Sequence, residues 1–505
     1  MKNNSVVLTA SALMLAACSQ VHGQYAPPPP PQPFAGFLND YLRKQDPYLS
    51  VWDIGGAVRL RYEWKENGLG LPPANDFRKI TPPGTQNDNA YLSDKVLARV
   101  SYTDKWWSVY VEGRSSSTWG DDRSRTGAGA VPGTGGNGGP EQDGPIDLHQ
   151  AYVTLGNHKE FPVSLKIGRQ ELSYGDERLV GAFAWNNIGR VFDTAKVRWQ
   201  NSWFAADAFT SKLVLPVDGE FNTWNDYNLF SGLYLTTKQI PKQTTELYFF
   251  ARNDGLGSAT ANPNAVLPFQ TAAPAARDIY TVGGRLKSNP GEWGNFDYTV
   301  EGAYQFGNWK AATNTARLDH DAYAFALNAG YTFPDAFGTP RVALEYAFAS
   351  GDSNPADGRH ETFDQLYPTG HKFEGYMDFA SWQNIHDVRG IFQLKPTPQL
   401  SLAIETHLFW LADTHDNFYN KGGVARGAGA SVNGFGRNSS YDNFVGTELD
   451  VIAGYAINKF TTLEAGYGHF FVGDYIEQTW NNPLKTVASG STDADWFYVQ
   501  AIIRF

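Results

Sequence analysis

The chain has 505 residues, a formal net charge of −11, one Cys and 51 Gly, with 18% charged and 14% aromatic residues. The acidic balance without a basic stripe excludes nucleic-acid recognition; a single Cys excludes an intrachain disulfide and argues against a thiol ligand or nucleophile. Length alone suggests several soluble domains, but abundant Gly, Tyr, Trp and Phe with few charges suits many strands joined by turns.

In chain order, the first element reads as a secretion signal: Lys2, then an apolar core from Val6 to Ala17. Two processing readings stand open. Leu15-Ala16-Ala17-Cys18 resembles a bacterial lipobox, which would end the signal at 17 and acylate Cys18; cleavage after Val21-His22-Gly23 would end an ordinary signal peptide at 23. Residues 24–50 read as a Pro-rich periplasmic linker, because the run Pro27 to Pro31 with Pro33 favours an extended spacer. Within it, Phe37, Leu38, Tyr41 and Leu42 stand at helical spacing and predict a short helix over 34–44.

No later stretch approaches the ~20 apolar residues of a membrane helix. A membrane-embedded chain of this kind must be a closed barrel, which satisfies every backbone polar group in lipid. From Trp52 onward the sequence alternates with period two: Val58, Leu60, Tyr62 and Trp64 oppose Arg59, Arg61 and Glu63. Val342, Leu344, Tyr346 and Phe348 likewise oppose Arg341 and Glu345. Such segments recur from 52–64 to 494–505, with one at 278–288. Tight turns, as at Asp104-Lys105, Asn201 and Asn458, alternate with long loops, as at 65–92, 119–145, 351–382 and 412–443. The reading is all-β: a transmembrane antiparallel β-barrel over 51–505 with about eighteen strands, short periplasmic turns and long extracellular loops. Both termini then fall on the periplasmic side. The loops carry Trp, Phe and Tyr, so some are expected to fold inward or over the mouth. The final strand places Phe497, Val499, Ala501, Ile503 and Phe505 on one face, and its terminal Phe resembles the signal read by the barrel-assembly machinery.

Parity then assigns the lumen. Arg59, Arg61, Arg99, Arg114, Lys166, Lys196, Arg198, Arg252, Arg285, Arg389 and Arg504 face inward, with Glu63, Glu112, Glu246, Glu301, Glu345 and Glu405. This predicts a lumen with more cations than acids, much of the acid lying in loops. The cations either brace the wall by pairing with lumen carboxylates or guide an anionic solute.

Three segments carry a family resemblance: LKIGRQELSYGDERLVGAFAWNNIGRVFDTAKVRW at 165–199, FDQLYPTGHKFEGYMD at 363–378 and GYGHFFVGDYIE at 466–477. They resemble the bacterial alginate-export family of outer-membrane barrels. The resemblance implies a monomeric barrel passing an acidic polyuronate through an Arg- and Lys-lined constriction. Lys166, Arg169, Arg178, Arg190, Lys196 and Arg198 are the residues of the first segment able to serve, and guanidinium pairs well with carboxylate. Glu171, Asp176, Glu177 and Asp193 in the same segment could instead neutralise them and pin the 172–190 loop. An exporter would also require a periplasmic export complex.

The rival reading is a general or differently selective porin for small solutes. An enzyme is disfavoured: no nucleophile elbow, no His-Glu-x-x-His and no Ser/His/Asp set accompanies His149, His371, His386, His407 or His469. A structural or adhesin barrel closed by its loops is the third reading. Acidic loops such as 352–364 could hold Ca²⁺ but lack EF-hand spacing; neither a metal site nor a cofactor is assigned.

Overall fold

Residues that alternate along a strand meet lipid on one side and the barrel interior on the other, and the folded chain sorts them in this way. The computed structural model describes residues 34, 36–68, 76–79, 88–122, 141–157, 159–216, 218–219, 221–255, 276–310, 316–423, 425–426, 435, 438–481 and 490–505. The signal peptide, Cys18 and the proline run lie outside the described residues.

The described strands number 20. Two of them, Thr223–Trp224 and Arg359–His360, span two residues each; the remaining eighteen pair antiparallel, each with its sequence neighbour, as a closed wall. Closure is direct: Trp52–Glu66 pairs with Asp88–Thr103 on one side and with the last strand, Ala494–Arg504, on the other. The expected parity holds. Leu60, Val342 and Leu344 point outward and are exposed, while Arg61, Glu63, Glu345, Arg389 and Glu405 point inward and are buried. The tight turns owe their shape to local side-chain acceptors. Asn201 Oδ1 accepts from the Trp203 and Phe204 amides at 2.8 and 3.0 Å. Asn458 Oδ1 repeats the device with the Phe460 and Thr461 amides at 2.8 and 3.0 Å.

The short helix, expected at 34–44, runs over Phe37–Gln45. It lies across the closing seam, where the Phe37 ring meets Phe460 and Phe505 at 6.1 and 6.4 Å. Asn39 and the Phe34 amide both bond the Asp53 carboxylate, at 2.7 and 2.8 Å. A Cβ at Gly36 or Gly55 would lie 2.0 or 2.3 Å from the Phe505 carbonyl oxygen, so this close approach requires glycine.

Two long loops do turn inward. Residues 171–191 and 362–384 fill the lumen, and every residue over 362–385 is buried, whereas 353–359 at the start of the second loop is mostly exposed. Their backbones interlock: the Tyr367 amide donates to Leu179, Gly181 to Tyr367, and Thr369 to Glu177, each at 2.9 Å. That mutual bonding pairs backbone groups that irregular chain would otherwise leave orphaned inside the barrel. At the extracellular mouth Phe77 packs on Phe379 and Phe470 at 4.3 and 4.8 Å. Trp480, from the outer helix Asp474–Asn481, joins the same aromatic cluster through Phe435.

Candidate functional site

The lumen wall and its two inward loops are held together chiefly by the charges that parity places inside. Arg59 and Arg61 rise from the first strand to the 171–191 loop. Both donate to the Trp185 carbonyl, at 2.7 and 2.8 Å, and the Arg61 guanidinium also lies 4.2 Å over the Trp185 ring. Arg114 bonds the Ile188 carbonyl at 2.8 Å and pairs with Asp143. Arg190 ties that loop to its partner through the Pro368 carbonyl at 2.8 Å.

A second group surrounds the centre. Arg178 bridges Glu345 of the wall at 2.8 Å and Glu374 of the 351–384 loop at 3.3 Å. Arg389 pairs with Glu405 and lies 3.7 Å from the same Glu345. Arg285 grips Glu246 at 2.5 Å and Asp176 of the 171–191 loop at 2.6 Å. The space left among Arg178, Glu301, Glu345, Phe373 and Arg389 is about 20 Å³, room for one water.

A third group lies toward the periplasm. Arg198 and Lys196 share Asp207, at 2.9 and 3.5 Å, and the Lys166 ammonium stands 3.5 Å over the Tyr152 ring. Arg99 sits apart at the periplasmic end, bonding the Tyr110 hydroxyl at 3.2 Å beneath the Phe34 ring. Arg169 is absorbed by a two-point pair with Asp193, at 2.9 and 3.1 Å.

The expected excess of cations is not what the interior holds. Among the described residues, buried carboxylates outnumber buried Lys and Arg. The expectation missed acids that the fold brings inward: Asp207, Asp387, Glu448 and Asp450 on strands, and Asp364, Glu374 and Asp378 on the 351–384 loop, the plug of the lumen. Arg252 and Arg277, outside the leading candidates, hold Asp364 at 3.1 and 2.6 Å. The strand bearing Arg277 begins at Ala276, two residues before the sequence estimate, which is why parity overlooked it.

The plug's own groups feel this burial. Glu374 is pushed up to about 8 by desolvation, against the pull of Arg178. Desolvation raises Asp378 as well, but Lys421 and His371 overcome it and hold the carboxyl at about 2. Lys372 falls to about 8 because its ammonium is buried, with Glu177 and Asp176 opposing the shift. His371 stacks on Trp185 at 4.0 Å and bonds Asp378 at 3.0 Å, an ordinary structural histidine. His149 similarly lies between Arg114 and Glu171, at 3.1 and 3.2 Å. Among the described residues no three His, Cys, Asp or Glu side chains are arranged to hold a metal ion.

A family model described as alginate export matches residues 53–486. Among solved structures, the chain is similar to OccK1 (OpdK) of Pseudomonas aeruginosa at 9% identity and a TM-score of 0.54, covering 90% of this chain and 98% of that one. OpdK solved with vanillate gives 10% identity and 0.53, with the same coverage of 90% and 98%. A BenF-like porin from Pseudomonas fluorescens Pf-5 gives 9% identity and 0.51, covering 90% and 99%. At these identities the likeness is one of fold. No curated protein sequence matches the chain significantly.

Proposed function

The chain belongs to the alginate-export family and forms an outer-membrane channel, and from that premise we propose that it passes a carboxylate-bearing saccharide, alginate or a related polyuronate, outward as a monomer. The observation that carries this reading is who occupies the lumen arginines. Arg285, Arg252 and Arg277 on the wall are each engaged by a carboxylate borne on an inward loop, Asp176 or Asp364. The loops thus present to the wall the functional group that a uronate carries, and a carboxylated chain can replace them pair by pair. Exchange of equivalent ion pairs leaves no deep trap along the path, which conduction requires.

The inward loops packed in the lumen and the aromatic cluster over the mouth favour a second reading, a porin for small organic anions. Planar-bilayer recording separates the two. Block by tri- to hexa-uronates, absent with neutral oligosaccharides of the same length, is the expected result. Steady conductance indifferent to both, with permeation by small carboxylates, would select the porin.

A further inference from the structure

The cations of the lumen are not equally neutralised. Lys166, on the strand Val163–Gln170, and Lys196, on Phe192–Gln200, are direct cross-strand neighbours. Both face inward, because the alternate residues Ile167 and Val197 are 50% and 44% exposed on the outer wall. Like charges directly opposite each other weaken a sheet, so this pairing costs stability and bracing does not explain it. Lys166 has no carboxylate within 4.0 Å among the described residues. The nearest acids are already engaged. Asp207, the partner of Lys196, also accepts from Arg198 at 2.9 Å and from the Tyr174 hydroxyl at 3.2 Å. Glu171 bonds the His149 imidazole at 3.2 Å and makes no ion pair with Lys166. Two cations therefore share Asp207 and Lys166 pairs with no carboxylate among the described residues, whereas the central arginines each pair with one or two.

The position gives the pair its meaning. Lys166 stands three residues inside the strand start at Val163, about 10 Å from the periplasmic rim, on the near side of the interlocked loops for a solute coming from the periplasm. Tyr152 backs the Lys166 ammonium and is itself stacked on Tyr110 at 5.0 Å, which stiffens that side of the site.

We propose that Lys166 and Lys196 form a docking site for one carboxylate group at the periplasmic entrance of the lumen, with Arg198 at its edge. The ligand is a ring-borne carboxylate, on a uronic acid residue or on a small organic acid. The proposal deepens the function above and rests on it for the uronate. Ammonium groups bind carboxylate as point charges without the two-point geometry of arginine, which suits a site that must capture a residue and release it to the loops.

Calorimetric titration of the full-length protein in detergent micelles, with trigalacturonate, benzoate and maltotriose as separate titrants, tests this. Lys166→Met and Lys196→Met should each weaken trigalacturonate binding about tenfold, Lys166→Arg should retain it, and both Met variants should melt no lower than the parent protein. Binding of benzoate alone, lost in both Met variants, upholds the site while removing the polysaccharide reading. Trigalacturonate bound equally by parent and Met variants overturns the site and leaves the polysaccharide reading standing. Maltotriose bound as tightly as the acids, or no binding of any titrant, overturns the site as well.

Discussion

Arg389 shows how a single side chain holds wall and plug together. Its guanidinium pairs with Glu405 and approaches Glu345, which in turn accepts from Arg178, whose other arm reaches Glu374 on the plug. Arg389 and Glu405 are each about 1% exposed. Removing one partner of a buried pair strands the other charge, at a cost of about 3–5 kcal/mol. Arg389→Ala should therefore lower the barrel's unfolding free energy by that order in urea titration, and adding Glu405→Ala should restore much of it. An Arg389→Ala protein as stable as the parent would mean that the pair contributes no net stability. That both residues face the lumen was legible from parity alone. Their pairing was not, because it depends on register: Arg389 lies opposite Glu345 on one side and His407 on the other, and period-two alternation forbids a one-residue slip but leaves slips of two open. The same blindness produced the mistaken charge balance. Asp207, Asp387 and Asp450 face inward on their strands and tip the interior toward acid.

At the scale of elements, the wall was readable and the plug was not. Eighteen strands declare themselves because lipid and lumen impose opposite chemistry on neighbouring residues, and because asparagine turns such as Asn201 and Asn458 mark the short connections. The loops 171–191 and 351–384 have no period, and their contacts bridge large separations, as between the Phe183 amide and the Thr369 hydroxyl, 186 residues apart. Only their aromatic content hinted that they turn inward. The wall, however, does not need the second loop to pair. Arg341–Ala349 and Ile385–Leu394 join in a ladder that starts at Ala349 opposite Ile385. Replacing 364–381 with a short Gly-Ser linker should leave a heat-modifiable barrel, because no ladder bond is lost. It should also raise single-channel conductance several-fold, because Asp364, Glu374 and the interlocked Tyr367 leave the lumen. Conductance equal to that of the parent would show that the narrowest point lies elsewhere, with the aromatic cluster at the mouth as the next place to cut.

For the whole molecule, the question is what closes a sheet whose first and last strands are separated by the entire chain. The ladder from Ala57–Arg504 to Glu66–Asp495 supplies the backbone bonds. The last residue adds a clasp. The Phe505 amide and carbonyl each bond Gly56 at 3.0 Å, and its ring packs beside Phe37 of the periplasmic helix and over Gly56. Phe505 therefore supplies a ring that locks the helix onto the seam, beside the assembly signal expected of it from the sequence. Phe505→Ala keeps the backbone bonds and removes the ring, whose burial is partial, for a loss of about 1–2 kcal/mol. Refolding into liposomes without assembly machinery isolates the second role. There the variant should still close but unfold at lower urea than the parent. In cells its folded fraction should fall further where the terminal ring is also read during assembly. A defect confined to cells would assign Phe505 to recognition alone. Equal defects in both settings would make closure of the seam its whole contribution.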